Sequence, residues 1–268
     1  MNRALRIEHQ TSYRYATKLT YAVLQVRLFP QSAKGHQIEN WQCEILGGKK
    51  ELSFKDHNGN LVWLVTSFPD TTEIIINTIG LVKVFDLNGV SGREKDSIPL
   101  WIYKNQTLLT DLGKSSDKFI SECEDEIGSI SWLHELAGAI KRQIKYKTAE
   151  TEASSSAHDA VKKGLGVCQD HAHIFIGCCR SVGIPSRYVS GYLLLEGVEQ
   201  QTAMHAWAEA FVPSLGWVGF DVSNGVSPDS KYLWIAQGSD YNDVSPIKGA
   251  IFGGLEEEMS VNLIVQQQ

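Results

Sequence analysis

The sequence predicts an α+β protein in two parts: a β-rich, sandwich-like N-terminal domain over residues 1–95, then a mixed helix-and-sheet domain over 96–268. Three observations lead there. Residues before about 95 fall into short β-branched and aromatic runs punctuated by Gly, Pro and Asn. Near 130–144, and again from Cys168, apolar residues recur at helical three- and four-residue steps. After Pro185 the strand pattern returns.

Taken in order, Arg6–Tyr15 alternates weakly. Val23–Phe29 reads as a strand stopped by Pro30, and Ile38–Ile45 alternates up to Gly47 and Gly48. Asp56-His-Asn58-Gly59-Asn60 is a hairpin signal, because Asn-Gly accepts positive φ. Its early glycine and missing acidic twelfth position rule out a calcium loop. Leu61–Val65 and Glu73–Ile79 follow as strands, with Gly80 as a bend before Leu81–Phe85. Asn88-Gly89-Val-Ser-Gly92 reads as the linker.

Helical spacing is expected from about 105 to 145, carried by Trp132, Leu133, Leu136, Ala137, Ile140 and Ile144. Ser154-Ser-Ser156 can cap a short helix through Lys163. Another helix begins at or just before Cys168 and ends near Gly183, with Pro185 beyond. Strands are expected over Ser186–Leu195, Thr202–Val212, Trp217–Val222 and Ser260–Val265.

A chain of 268 residues, 43% apolar and 21% charged, can bury a sizeable core. Its net charge of −6 argues against a nucleic-acid binder, which needs a basic face. No stretch approaches the roughly 18 apolar residues of a membrane span, and Met1–His9 lacks the apolar run of a secretory signal. A cytoplasmic protein is expected, without a membrane partner. Its odd, sparse set of cysteines, Cys43, Cys123, Cys168, Cys178 and Cys179, reads as reduced thiols. Asn105-Gln-Thr107 fits a glycosylation acceptor that a cytoplasmic chain would not use. The acidic runs Glu122–Glu126 and Glu256–Glu258 read as solvated faces.

One constellation makes a chemical claim. Cys168 follows Gly164-Leu-Gly166 at the expected N-terminus of a helix. There the dipole and free N–H groups favour a thiolate, and its own N–H is a natural oxyanion donor. A lone cysteine is more often core filling, and Cys178 and Cys179 are read that way. Alternation in Thr202–Val212 puts His205, Trp207, Glu209 and Phe211 on one face and alanines on the other. The Pro213–Gly216 turn would fold Trp217–Asp221 back, bringing Asp221 to His205 as the carboxylate that fixes a catalytic imidazole. His171 is a rival base three residues after Cys168. His171 and His173 point about 200° apart on a helix, so they cannot grip one ion, and no metal site is expected.

These residues resemble the transglutaminase-like superfamily, and within it the bacterial proteins with a β-rich N-terminal region. The resemblance rests on Gly166-Val-Cys168-Gln-Asp170-His-Ala-His173 continuing through Arg180–Tyr192, on His205-Ala-Trp207, and on Gly216–Gly225. It extends to His9–Tyr15, Arg27–Pro30, Asp56–Asn60 and Asp243–Gly249. It implies a papain-like core with a helix-borne cysteine packed on an antiparallel sheet, Cys168 as nucleophile, His205 as base and Asp221 as orienting acid. His171 stands where an aromatic residue is common, and Val222-Ser223 replaces a frequent Pro-Thr. The expected activity is thioester-mediated acyl transfer on a peptide or protein substrate, as cysteine protease or amide hydrolase. The alternatives are transamidation to an amine co-substrate, or a non-catalytic binding or assembly module. No cofactor is expected, and calcium is not carried over from distant relatives. Tyr188, Tyr192, Trp207 and Trp217 are candidate pocket walls.

Overall fold

The structure, a computed structural model, describes residues 2–32, 35–93, 98–148, 150–198 and 200–268. The expected boundary between residues 95 and 96 lies outside the described residues. The N-terminal strands are β1 (Arg3–Arg14), β2 (Leu19–Val26), β3 (His36–Leu46), β4 (Gly48–Lys55), β5 (Leu61–Ser67), β6 (Glu73–Val84) and β7 (Val90–Gly92). Then come α1 (Asp117–Ile120), α2 (Ile130–Gln143), β8 (Lys145–Tyr146), α3 (Ala157–Lys163), β9 (Leu165–Gly166) and α4 (Cys168–Ser181). The remainder is β10 (Ser186–Leu193), β11 (Gln200–Gln201), β12 (His205–Val212), β13 (Gly216–Phe220), β14 (Tyr232–Gly238), α5 (Tyr241–Val244), β15 (Ile247–Gly253) and β16 (Glu258–Gln267).

Three antiparallel sheets organise the molecule, in the orders β11-β16-β1-β6-β3, β15-β2-β5-β4 and β14-β10-β12-β13-β7. The first two share a core of Tyr13, Leu24, Val26, Val65, Ile74 and Ile76. The opposite end of the same β1–β6 face, Leu5, Ile7, Val82 and Val84, joins the core around α4 and the third sheet. Backbone pairing runs between the expected 1–95 and 96–268 parts in both directions. β16 pairs with β1 from Leu5 to Arg14, β15 pairs with β2, and β7 lies on the edge of β13.

The Asp56–Asn60 turn joins the parts by side chains. Asp56 Oδ1 accepts the N–H groups of Asn58 (3.0 Å) and Asn60 (2.9 Å), and its other oxygen pairs with buried Arg27 at 3.1 Å. Asn60 then bonds both backbone groups of Gln237 in β14, donating at 2.8 Å and accepting at 2.9 Å.

The expected helix over 105–145 is mostly a run of turns, with its long helix confined to α2. Gly113 and Gly128 take positive φ, and Ser129 caps α2 by accepting from the N–H of Trp132. Gly80 is not a bend. It sits within continuous β6, where a Cβ would lie 2.0 Å from the Trp41 ring. No helix among the described residues is long and apolar enough to cross a membrane.

Candidate active site

The start of α4 is fixed by its neighbours. Gly164 ends α3 in the left-handed region (φ 67°), and β9 runs parallel to β8. The Asp170 carboxylate reaches back to accept from the Val167 N–H (2.8 Å) and from the Thr151 hydroxyl (2.7 Å). Val167 offers no acceptor in return, so the cap is one-sided. At Gly166 a Cβ would approach the Asp170 Cβ to 2.7 Å, so only glycine lets the turn close this tightly. Beyond its first turn α4 is buried nearly all round, as a central helix must be. Ala172, Phe175 and Cys179 sit in the same core as Ala206, Ala208 and Ala210 of β12, with half-buried Cys168 at its margin.

The β12–β13 hairpin supplies the other two groups. Its register pairs Ala208 with Phe220, and Asp221 follows the end of β13. His205 Nε2 and Asp221 Oδ2 lie 2.6 Å apart. The Asn224 side chain (2.6 Å) and the Tyr232 hydroxyl (2.7 Å) also donate to Oδ2, and the Asn224 N–H donates to Oδ1 at 3.1 Å. Asp221 is only 1% exposed. Burial would raise its pKa, but the hydrogen bonds from His205, Asn224 and Tyr232 hold it below the usual carboxylate range. For His205 burial works against the charged form, yet hydrogen bonds to Asp221 and Cys168, with their charges, push its pKa up to about 10. With Nε2 on Asp221, Nδ1 is the nitrogen left for the Cys168 thiol. Trp207 and Tyr232 flank the imidazole, with ring centroids 6.4 and 5.9 Å from it.

The rival base is engaged elsewhere: His171 Nδ1 meets the Ser223 hydroxyl at 2.8 Å and Nε2 meets the Ile144 carbonyl at 3.0 Å. His173 is fully buried, and burial drops its pKa to about 3. Among the described residues no group of three His, Cys, Asp or Glu side chains could hold a metal ion. Of the four aromatic candidates, Tyr188 lies against His173 (5.0 Å), and Tyr192 bonds His9 Nδ1 through its hydroxyl (2.8 Å). Trp217 packs with Tyr103, Phe211 and Arg187, so all three rings sit in the interior. Trp207 packs beside His205 and lines a cleft on the far face of the sheet.

Three neighbours of the site escape sequence reasoning. Asn224 stands in Asp221-Val-Ser-Asn-Gly225, and its turn chemistry was a usable signal. Tyr232 belongs to β14, which no local pattern announced. Tyr146 is 55% exposed on β8, opposite Gly166, and its ring lies 6.2 Å from His171 in the first turn of α4.

A cysteine-bearing core helix packed on an antiparallel sheet makes this a papain-like α+β protein. The chain belongs to the transglutaminase-like superfamily: that family's core matches residues 116–222, and the bacterial transglutaminase-like N-terminal region matches residues 5–83. An uncharacterised protein of Mycobacterium leprae is 26% identical over 93% of each chain. An uncharacterised Mycobacterium tuberculosis protein is 32% identical over 49% of this chain and 46% of its own length. In fold, the chain is similar to the crystal structure of a candidate cysteine protease from Cytophaga hutchinsonii. That match has a TM-score of 0.78 at 18% identity and covers 100% of this chain and 91% of that one.

Proposed function

We propose that the protein is a cysteine-dependent acyl-transfer enzyme that cleaves peptide or carboxamide bonds through a thioester on Cys168. The observation that carries this reading is His205, bonded to a buried carboxylate on one side and to the Cys168 thiol on the other. A histidine raised to about 10 is an imidazolium at neutral pH, able to give a proton to a leaving group.

The sulfur attacks the carbonyl carbon, and the resulting oxyanion faces the N–H of Cys168 at the helix N-terminus. The imidazolium gives its proton to the leaving nitrogen as the C–N bond breaks, leaving a thioester and a neutral imidazole. His205 then takes a proton from water as the water attacks. Collapse breaks the C–S bond, releases the acid and restores the Cys168–His205 pair. Asp221, with Asn224 and Tyr232 bonded to it, holds the tautomer throughout and stabilises the imidazolium whenever it forms.

The test is mass spectrometry of products from a peptide library, with and without added amine. Cleaved backbones or deamidated side chains support hydrolysis, and amine adducts mean transfer instead. No product and no acyl-enzyme from any peptide would remove the enzymatic reading.

A further inference from the structure

The alanine face of the third sheet packs with α4, but its other face borders a cleft of about 710 Å³, a volume typical of small-molecule sites. None of Cys168, His205 or Asp221 lines it. Trp207, Tyr232 and Trp234 provide aromatic surface. The floor carries Glu209, whose two oxygens are both occupied, by the Ser91 hydroxyl (2.7 Å) and by Arg187 Nε (2.6 Å). Its charge is therefore matched locally and does not repel an anion. Among the described residues the rim adds Lys55 and Arg93 and one carboxylate, that of Asp229, which already accepts the Lys231 N–H at 2.8 Å. His36 stands on the wall with a buried Nδ1 that has no partner among the described residues.

We infer that this cleft is a binding site for a small planar aromatic molecule bearing one anionic group. Two of its rings also touch the candidate active site: Tyr232 donates to Asp221, and Trp207 packs beside His205. A ligand pressing on these rings shifts the groups that position His205, so occupancy changes the reactivity of Cys168. Only this coupling rests on the proposed function; binding itself does not.

The test is calorimetry on the full chain with 2-naphthoate and with neutral 2-naphthylmethanol. The native protein should bind one naphthoate about tenfold tighter than the alcohol. Trp234→Ala, and separately the exposed rim pair Lys55→Glu with Arg93→Glu, should each weaken naphthoate about tenfold. The rim variant keeps the test valid if Trp234→Ala disturbs folding. No binding, equal binding of acid and alcohol, or unchanged affinity in both variants overturns the site. Saturating naphthoate should change the iodoacetamide rate of Cys168 by at least about twofold in the native protein and not in Trp234→Ala. An unchanged rate with intact binding overturns the coupling alone. A Cys168 inert with or without ligand counts against the proposed function and leaves the calorimetric result standing.

Discussion

Cys168 and Cys179 lie on one face of the same helix, about three turns apart, and each has a basic residue beside it. At the C-terminal end that residue is Arg180, whose guanidinium donates to the carbonyls of Tyr103, Ser186 and Ser239 and to the Thr110 hydroxyl. It fastens α4 to its surroundings, and burial pushes the Cys179 thiol up to about 12 although Ser186 and Arg180 oppose it. Burial also raises Cys178 well above the ordinary thiol range. At the N-terminal end His205 is anchored by Asp221, directed at a half-buried sulfur and reachable from solvent. A cation near a thiol is thus not enough: it must be free of other acceptors on the thiol's side, and the thiol must stay at the margin of the core.

The largest expected effect breaks this contrast directly. Cys168→Ala should lower peptide or amide turnover by about 10⁴-fold or more with the fold intact, whereas Cys179→Ala should leave turnover within about threefold and cost about 1 kcal/mol of stability. Steady-state rates and thermal melts on both variants check the pair. Next, Asp221→Asn should reduce turnover by about 10²–10⁴-fold, since the amide can stabilise neither the imidazolium nor its tautomer. Iodoacetamide at pH 6 should then label Cys168 ahead of Cys178 and Cys179. His205→Ala should slow that labelling by about tenfold or more, read by peptide mapping.

Stability against pH sharpens the contrast further. His205 rises from 6.5 to about 10, so its contribution is complete below pH 6.5 and is lost as pH climbs towards 10. His9 and His173 are lowered to about 4 and about 3 by burial, so theirs is complete above pH 6.5 and is lost as pH falls through that window. The melting temperature should peak near pH 6.5 and fall on both sides. His205→Ala should flatten the alkaline limb and His9→Gln part of the acid limb. The smallest expected effect lies far from the thiol. Asn60→Ala removes two hydrogen bonds to Gln237 and should cost about 1–3 kcal/mol in denaturant unfolding, with turnover nearly unchanged.

The juxtaposition of Cys168, His205 and Asp221 was legible because each sits in a short segment whose local pattern sets its direction. The helix start and the Pro213–Gly216 turn bring the three segments together, whereas alternation alone puts His205 on the Trp207 face, and it meets Cys168 from the first position of β12. Tyr232 was not legible, because its bond to Asp221 depends on β14 lying beside β10, a pairing no local periodicity records. The same holds for Asn60 on Gln237 and for β15 and β16 joining N-terminal sheets. Gly80 was misread because a glycine needed for close approach and one needed for a bend look identical in one sequence; Trp41 distinguishes them only across the sheet. Over 105–129 apolar residues fall at helical steps, but Gly113, Gly128 and the acidic run between them break the helix into turns.

The pairing of β16 along β1 has a consequence for synthesis. Until residues 258–267 have left the ribosome, β1 presents an unpaired edge, and the first sheet offers open backbone groups to any passing strand. The segment holding Cys168, His205 and Asp221 is made earlier, but the platform beneath it is finished only by the later strand. The nascent chain thus carries a thiol and an open edge together, the kind of exposure that makes incomplete chains prone to aggregate.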